Sequence, residues 1–305
     1  MTEKHHVIMN IGLALSGGGA KGIAHIGVLK VLEEAQIPVH ALAGTSMGGL
    51  VAAIYAAGRS PDEIEEIARS IRLLDIIQRN RDGLGLMGVE KVTARLREAL
   101  GGDLTFEQLN LPLALIAADL ETGEEVAIRD GSVVEGMLAT MSLPPVFPPL
   151  RWRGRLLVDG GVVNPVPFDF VREMGADRVI AVHTRHQLPN LLEPQTPSHG
   201  QGAEAIIRLL LYRSPWAQLV HISERSLSIM SRKLVEYRMR EAPPDLMIEV
   251  LLQGVGLFDL DQVNVCLEAG EAAARRHLPE LIALRDTPPP GRLRRWWDEL
   301  RRRLR

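Results

Sequence analysis

The chain has 305 residues, of which 46% are hydrophobic and 24% charged, and its formal net charge is −3 at pH 7. This length and composition are typical of one large or two small globular domains, and they exclude a disordered, collagen-like or coiled-coil protein. The net charge gives no electrostatic basis for binding nucleic acid. The one cysteine, Cys266, excludes an internal disulfide, and we expect it to be a buried residue of a helix.

Two segments bear on the location of the protein. Met1–His6 is short and polar and is followed by no apolar region of the kind found in secretory signals. Ala35–Gly58 lacks Asp, Glu, Lys and Arg, but its proline and glycines favour a buried strand, turn and helix over a membrane span. The expected location is therefore the cytoplasm.

The apolar pattern predicts alternating strands and helices along the chain. Strands are predicted, in order, at Ile11–Leu15, Val39–Ala43, Leu113–Leu120, Val126–Ile128, Leu156–Val158, Arg178–Val182 and Leu246–Leu251. Helices are predicted at Ile23–Leu32, Met47–Ala57, Pro61–Ile71, Val89–Leu100, Val133–Met141, Ala203–Arg240 with a break at Pro215, and Asp261–His277. Asn80–Gly88 and His186–Gln201 are predicted loops. The alternation predicts an α/β fold, a three-layer sandwich with a mostly parallel central sheet, in one domain over residues 1–285.

The first candidate site is the glycine turn Ser16–Gly22, which lies between a predicted strand and a predicted helix. Three adjacent glycines allow a ligand to approach the backbone and several N–H groups to point one way, so the turn favours an anion. The spacing of Gly17, Gly19 and Gly22 also matches the dinucleotide-binding fingerprint. That fingerprint needs an acid at the end of the next strand, where this chain has Gly44-Thr45-Ser46, so the dinucleotide interpretation is disfavoured.

The second candidate site is Gly44-Thr45-Ser46-Met47-Gly48, a G-x-S-x-G motif that follows a predicted strand and precedes a predicted helix. This is the context of a nucleophile elbow, in which a tight turn exposes a serine hydroxyl. The flanking glycines remove steric bulk, and the helix N-terminus favours developing negative charge. Ser46 is therefore a candidate nucleophile.

A serine nucleophile needs a base, and Asp159 is a better candidate than any histidine. Asp159 ends a predicted strand and begins Asp159-Gly160-Gly161, which would leave its carboxylate at the carboxyl edge of the sheet. The alternative for these residues is an ordinary Asp-Gly turn. Five histidines follow Asp159, and none has a distinctive local setting: His183, His186, His199, His221 and His277. An α/β-hydrolase, moreover, would place several more strands before the elbow.

In these three motifs, taken in order, the chain resembles the patatin-like phospholipase family. The matching residues are Gly17 to Gly22, Gly44 to Gly48 and Asp159 to Gly161, and Leu143–Pro149 and Asn164 are also similar. The resemblance spans about Ile11 to Leu281 and is greatest to bacterial members related to the catalytic domain of neuropathy target esterase.

The resemblance implies a Ser–Asp dyad without histidine, acting on acyl esters of lipids, especially phospholipids and lysophospholipids. Ser46 would attack the ester carbonyl, and Asp159 would accept its proton and later activate water. Backbone N–H groups of Gly17, Gly18 and Gly19 would bind the oxyanion. Lys21 would either orient this turn or lie on the solvated surface, and neither a metal nor another cofactor is implied.

The last predicted region, 286–305, begins with a proline-rich segment and continues as a basic tail. Arg292–Arg305 contains seven arginines, and Leu293, Trp296, Trp297, Leu300 and Leu304 share one helical face. A basic helix with tryptophan on its apolar face is typical of binding to an anionic membrane surface, here the inner face of the membrane. The alternative is a helix docked on its own domain or on another subunit of a homo-oligomer.

Two other functions remain as alternatives to a lipid acyl hydrolase. One is a catalytically silent lipid-binding or scaffold protein of the same fold, against which the intact Ser46 and Asp159 argue. The other is a dinucleotide-binding protein, which the missing acid disfavours.

Overall fold

The computed structural model describes residues 10–72, 78, 85–186 and 215–287, and an eight-stranded sheet lies at its centre. The strands are β1 (Ile11–Leu15), β2 (Ala41–Thr45), β3 (Leu113–Asp119), β4 (Glu125–Ile128), β5 (Leu150–Trp152), β6 (Arg155–Asp159), β7 (Arg178–His186) and β8 (Leu246–Leu252). The helices are α1 (Ala24–Glu34), α2 (Ser46–Ala56), α3 (Pro61–Ser70), α4 (Glu90–Leu100), α5 (Val133–Met141), α6 (Phe168–Glu173), α7 (Pro215–Glu241), α8 (Val263–Arg276) and α9 (Leu278–Asp286). Short 3-10 turns lie at Gly19–Ile23, Phe106–Gln108 and Gly160–Val162.

The sheet is mostly parallel, as predicted. Hydrogen-bonded neighbours follow the order β5-β6-β3-β2-β1-β7-β8, and β4 pairs with β3. The pairs β3–β2, β2–β1, β1–β7 and β7–β8 are parallel, whereas β4, β5 and β6 join by antiparallel pairing. The predicted strands at Leu113–Leu120 and Val126–Ile128 thus form a hairpin, β3 and β4.

Helices cover both faces of the sheet, because alternate residues of the buried strands point to opposite sides. Leu13 and Leu15 of β1 belong to the larger apolar core, which includes α1, α2, α5 and α8. Ala14, between them, belongs to a second core with Phe168 of α6 and Val235 of α7. The three-layer architecture is therefore confirmed.

Three short or weakly patterned elements were not predicted from the sequence. Strand β5 has three residues and α6 has six, too few for an apolar period to be recognised. Helix α9 has only Leu281 buried, so it has no apolar stripe. Strand β7 also extends to His186, where a loop was expected, since its last residues pair with β8.

Five segments for which we made predictions lie wholly or partly outside the described residues: Met1–His6, most of the loop Asn80–Gly88, the loop after His186, the helix before Pro215, and the tail Arg292–Arg305. Within the described part of the chain, no helix combines the length and the apolarity of a membrane span. Cys266 is fully buried in α8, as expected, and burial raises the pKa of its thiol to about 12.

Candidate active site

The glycine turn and the serine motif meet at the carboxyl edge of the parallel strands. Leu15, the last residue of β1, is level with Gly44 of β2 and Val182 of β7. The residues that follow these three positions therefore emerge side by side at one edge, where open α/β sheets bind their ligands. The glycine turn extends β1, with the elbow on one side of it and the end of β7 on the other.

Ser46 has the backbone geometry of a nucleophile elbow. It is the first residue of α2 and has φ of +52°, in the left-handed region that non-glycine residues rarely adopt. Its N–H donates a hydrogen bond to Thr140 Oγ1 at 2.9 Å, and Thr140 Oγ1 donates to the carbonyl oxygen of Ile116 at 2.5 Å. A buried side chain of α5 thus holds the strained turn in place.

The glycines of the two motifs allow close backbone contacts between the elbow and its surroundings. A Cβ at Gly48 would overlap the carbonyl oxygen of Ser16, and a Cβ at Gly44 would overlap the backbone of Gly49. A Cβ at Gly22 would overlap the side chain of Met47. These residues therefore pack the elbow directly against the glycine turn.

The register of β3 brings Asp159 next to the elbow. Ile116 of β3 pairs with Thr45, and the next residue, Ala117, pairs with Asp159. Both residues of β3 also pair with β4, which occupies the opposite edge of the strand. Strand β6 therefore continues along the edge where β2 ends, so Asp159 follows Thr45 in space.

A second link fixes the segment after Asp159 to the end of β2. The hydroxyl of Thr45 donates to the carbonyl oxygen of Asn164 at 2.8 Å, and the N–H of Asn164 donates to the carbonyl oxygen of Gly160 at 2.8 Å. A Cβ at Gly160 would overlap the Ile116 carbonyl oxygen, so this close turn needs glycine. Asn164, one of the residues in which the chain resembles the family, therefore lies in the scaffold of the site.

Asp159 is a buried carboxyl whose proton affinity suits a base near neutral pH. Asp159 is 2% exposed, and burial raises the pKa of its carboxyl to about 6. The nearby Ser46 hydroxyl and a hydrogen bond from the N–H of Gly161, at 2.8 Å, favour the carboxylate and limit the rise of that pKa. At pH 7 the group is mostly ionised, and it is more basic than an ordinary aspartate.

The backbone N–H groups of the glycine turn are not equivalent. Gly17 donates to the carbonyl oxygen of Pro165 at 3.1 Å, and Ala20 donates to that of Leu257 at 2.9 Å. Among the described residues we find no acceptor for the N–H groups of Gly18 and Gly19. Of the three N–H groups predicted to bind an oxyanion, that of Gly17 therefore already has a partner, whereas those of Gly18 and Gly19 are open to a ligand.

Residues of all three motifs line one cleft of about 530 Å³. Its polar lining includes Ser46, Asp159 and the glycine turn, and its apolar lining consists of Leu143, Val162, Pro165, Leu227, Ile229, Leu251 and Leu257. Lys21 also lines the cleft and is buried, so the solvated-surface interpretation of this residue is wrong.

Of the described histidines, only His183 lines the cleft. It is 8% exposed, and burial lowers its pKa to about 4, which makes it a weak base. His186 ends β7 and His277 lies between α8 and α9, whereas His199 and the side chain of His221 fall outside the described residues.

Sequence reasoning did not identify three polar residues that contact the motifs. Thr140 holds the elbow, and Thr184 and His25 hold the glycine turn. Each lies within an ordinary helix or strand and in no recognisable motif. Only the burial of their polar groups, which is a property of the fold, distinguishes them.

The sequence is similar to proteins of one known family. A family model described as patatin-like phospholipase matches residues 13–172. The uncharacterized NTE family protein Rv1063c of Mycobacterium tuberculosis is 35% identical over 175 residues, 56% of this chain and 48% of that protein. Human patatin-like phospholipase domain-containing protein 6 is 33% identical over 229 residues, 73% of this chain and 16% of that protein.

The fold also matches a solved structure. VipD from Legionella pneumophila superposes with a TM-score of 0.58 at 13% identity, over 89% of this chain and 67% of that chain. The chain spans about half the length of its mycobacterial relative. Because the family model covers more than half of the sequence and includes all three motifs, the chain belongs to the patatin-like phospholipase family.

Proposed function

We propose that this protein is a serine hydrolase that cleaves carboxylic esters of lipids, either phospholipids or lysophospholipids, through Ser46 and Asp159. The observation that supports this most directly is that Ser46 and the buried Asp159 line the same cleft, close enough for the serine to lower the pKa of the carboxyl. A nucleophile with a base beside it is the minimum that acyl transfer to serine needs. Membership of the patatin-like phospholipase family supports a lipid substrate.

The proposed reaction has two steps that share one base. In the first, Ser46 Oγ attacks the ester carbonyl carbon while Asp159 accepts the hydroxyl proton, and that proton then passes to the departing alcohol. In the second, Asp159 accepts a proton from water as the water attacks the acyl-enzyme. The fatty acid leaves, and the proton returns to Ser46 Oγ.

The tetrahedral intermediate of each step carries a negative oxygen that the open N–H groups of Gly18 and Gly19 would bind. Backbone donors that are fixed before the reaction stabilise such charge without reorganising. In other serine enzymes the loss of one donor costs about 3 kcal/mol of transition-state stabilisation. The N-terminus of α2, beneath Ser46, adds a favourable dipole.

The apolar part of the cleft supports an acyl chain as the bound group. Leu227, Ile229, Leu251 and Leu257 line it, and Ile229 and Leu251 are also 45% and 57% exposed. Met230, next to Ile229 on α7, is 53% exposed. An apolar surface that continues from the solvent into the cleft suits a substrate that arrives from a lipid layer.

The test is hydrolysis of a medium-chain ester by the wild type, Ser46→Ala and Asp159→Asn. The proposal predicts turnover by the wild type and none above background by either variant, with unchanged circular dichroism. Assays on a lysophospholipid, a diacyl phospholipid and a neutral monoacylglycerol then identify the substrate class. Activity retained in either variant would remove that residue from the mechanism.

The alternative function is lipid binding without catalysis. It predicts that the wild type binds a fluorescent fatty acid in the cleft but hydrolyses none of these esters. Substitution of Leu251 by aspartate would then weaken binding, while Ser46→Ala would leave it unchanged.

We also propose, from the sequence of the tail, that Arg292–Arg305 binds anionic membranes at their cytoplasmic face. Deletion of these residues should reduce sedimentation with phosphatidylglycerol vesicles, and sedimentation with neutral vesicles serves as the control. Unchanged sedimentation of the truncated protein would exclude this role.

A further inference from the structure

The glycine turn is held at its carbonyl oxygens by two side chains from neighbouring elements. His25 of α1 donates from Nε2 to the carbonyl oxygen of Ser16 at 2.8 Å, and Thr184 of β7 donates from Oγ1 to that of Gly17 at 3.0 Å. Both side chains are buried, and Thr184 also lines the cleft. The two bonds act on successive peptide groups of the turn.

The first of these peptide groups is bonded at both ends. Its carbonyl, that of Ser16, accepts from His25, and its N–H, that of Gly17, donates to Pro165 at 3.1 Å. The second peptide group joins Gly17 to Gly18. Its carbonyl is bonded to Thr184, while its N–H has no acceptor among the described residues.

In a trans peptide the C=O and N–H bonds point in opposite directions because the group is planar. A bond that holds the Gly17 carbonyl towards Thr184 therefore directs the Gly18 N–H away from Thr184. Strand β1 lies between β7 and β2, so the direction away from Thr184 is the direction of the elbow. Gly17 itself lies against the elbow, since a Cβ there would be 3.2 Å from Ser46 Cβ.

The position of Thr184 is fixed by two further contacts. Its N–H donates to Ser16 Oγ at 2.9 Å, and its hydroxyl oxygen is 3.2 Å from Ser16 Oγ. A Cβ at Gly18 would approach Thr184 Oγ1 to 2.5 Å, so the hydroxyl also packs against the glycine that supplies the N–H.

We infer that Thr184 is a positioning residue for the oxyanion hole: its hydroxyl fixes the Gly17–Gly18 peptide so that the Gly18 N–H faces the ester oxygen bound at Ser46. This inference rests on the proposed hydrolase function. Thr184 touches no reacting atom, and its effect appears only when negative charge develops on the substrate oxygen. If this peptide could rotate freely, the Gly18 N–H would still be present but would no longer point at the ester oxygen.

The test compares Thr184→Val, which keeps the shape but removes the hydroxyl, with Thr184→Ser, which keeps the hydroxyl. On a soluble p-nitrophenyl ester we expect Thr184→Val to lower kcat by about 10- to 100-fold, since one oxyanion donor contributes about 10²-fold or more. The KM should stay within twofold, and Thr184→Ser should retain at least a third of the wild-type kcat. The Ki of an alkyl trifluoromethyl ketone, which forms an oxyanion on Ser46, should rise in parallel with the loss of kcat.

Thr93→Val is the matched control. Thr93 Oγ1 also donates to a backbone carbonyl, that of Val89 at 2.7 Å, but it lies on α4 and does not line the cleft. Its kcat should equal that of the wild type. If a thermal melt shows that Thr184→Val does not fold, Thr184→Ala takes its place in the test. This variant leaves space in place of the hydroxyl and should show the same loss of kcat.

The outcomes separate this inference from the proposed function. An active wild type with equal kcat and equal ketone affinity in Thr184→Val would contradict the inference alone. An increase in KM with kcat unchanged would also contradict it, because that pattern indicates a role in substrate binding. A wild type that hydrolyses no ester would contradict the proposed function, and this inference with it.

Discussion

Ser46 and Asp159 line one cleft and lie close enough for the serine to lower the pKa of the carboxyl, although the two residues come from distant parts of the chain. They meet because Thr45 and Asp159 pair with successive residues of β3. The placement of Ser46 beside Asp159 is therefore fixed by the register of a buried strand rather than by a loop. This arrangement leads to the following predictions.

The strained backbone at Ser46 predicts different stabilities for two inactive variants. Ser46→Ala and Ser46→Gly should both abolish ester hydrolysis, because each removes the nucleophile. Since φ is +52° at this position, glycine should be more stable there than alanine by about 1 kcal/mol. Urea unfolding measures the difference, and equal stabilities would show that the elbow relaxes in the variants.

The pKa of Asp159, raised by burial to about 6, predicts the pH dependence of the reaction. Only the carboxylate can accept the serine proton, so kcat/KM should rise with pH, reach half of its maximum near pH 6 and level off above it. The measurement uses a p-nitrophenyl ester with pH-independent detection. A midpoint near pH 4 would indicate that the base is an ordinary exposed carboxylate.

The same pKa predicts a pH-dependent gain in stability for Asp159→Asn. Because the pKa of Asp159 is higher in the folded state than its ordinary value of 3.8, ionisation destabilises the folded protein. The destabilisation is absent below pH 3.8 and fully present above about pH 6, and a shift of this size corresponds to about 3 kcal/mol. The advantage of Asp159→Asn over the wild type in denaturant unfolding should therefore grow from pH 3.5 to pH 8. An advantage that stays constant would contradict this account.

Thr140 is expected to matter for both stability and activity. Thr140→Val would leave the N–H of Ser46 and the carbonyl of Ile116 without their buried partner, at a cost of about 1–3 kcal/mol in the free energy of unfolding. The kcat should fall because the elbow is no longer held. Thr140→Ser, which keeps the hydroxyl, is the control and should recover most of both.

His183 tests whether a histidine acts as the base instead of Asp159. Burial lowers its pKa to about 4, whereas Asp159, which lies near Ser46, has its pKa raised to about 6. The kcat of His183→Gln should therefore stay within about threefold of the wild-type value. Removal of a general base would instead lower kcat by about 10²-fold or more. A loss of that size with an intact fold would favour a Ser–His mechanism.

The sequence was sufficient to predict the elements that surround the site. Ser46 and Asp159 stand out because each follows an apolar strand and adjoins glycines that a tight turn requires. Parallel strands bring the glycine turn and the serine motif to one edge, so the meeting of these two could be expected before the structure was known. Strand β6 is antiparallel to β3, so the approach of Asp159 to Ser46 depends on strand register and could not be predicted from this rule. The short β5 and α6 could not be recognised, because three and six residues show no clear period.

The hydrogen-bond partners of the turns could not be predicted in the same way. That Gly17 donates to Pro165, and that Thr184 holds the Gly17 carbonyl, depends on how β7 and the segment after Asp159 pack beside β1. These contacts join residues far apart in the chain, and a single threonine within an apolar strand gives no local signal. That the N–H of Gly17 is occupied, while those of Gly18 and Gly19 have no acceptor among the described residues, is therefore a result of the fold.

Labelling with a fluorophosphonate tests the central claim most directly, because this probe reacts with serines that an adjacent base activates. The wild type, Asp159→Asn and Ser46→Ala are treated in parallel, with and without lipid vesicles, and the modified peptide is identified by mass spectrometry. The account predicts a label on Ser46 alone, lost in Ser46→Ala and reduced at least a hundredfold in rate in Asp159→Asn. A folded wild type that stays unlabelled under both conditions, or that labels equally without Asp159, would contradict the Ser46–Asp159 mechanism.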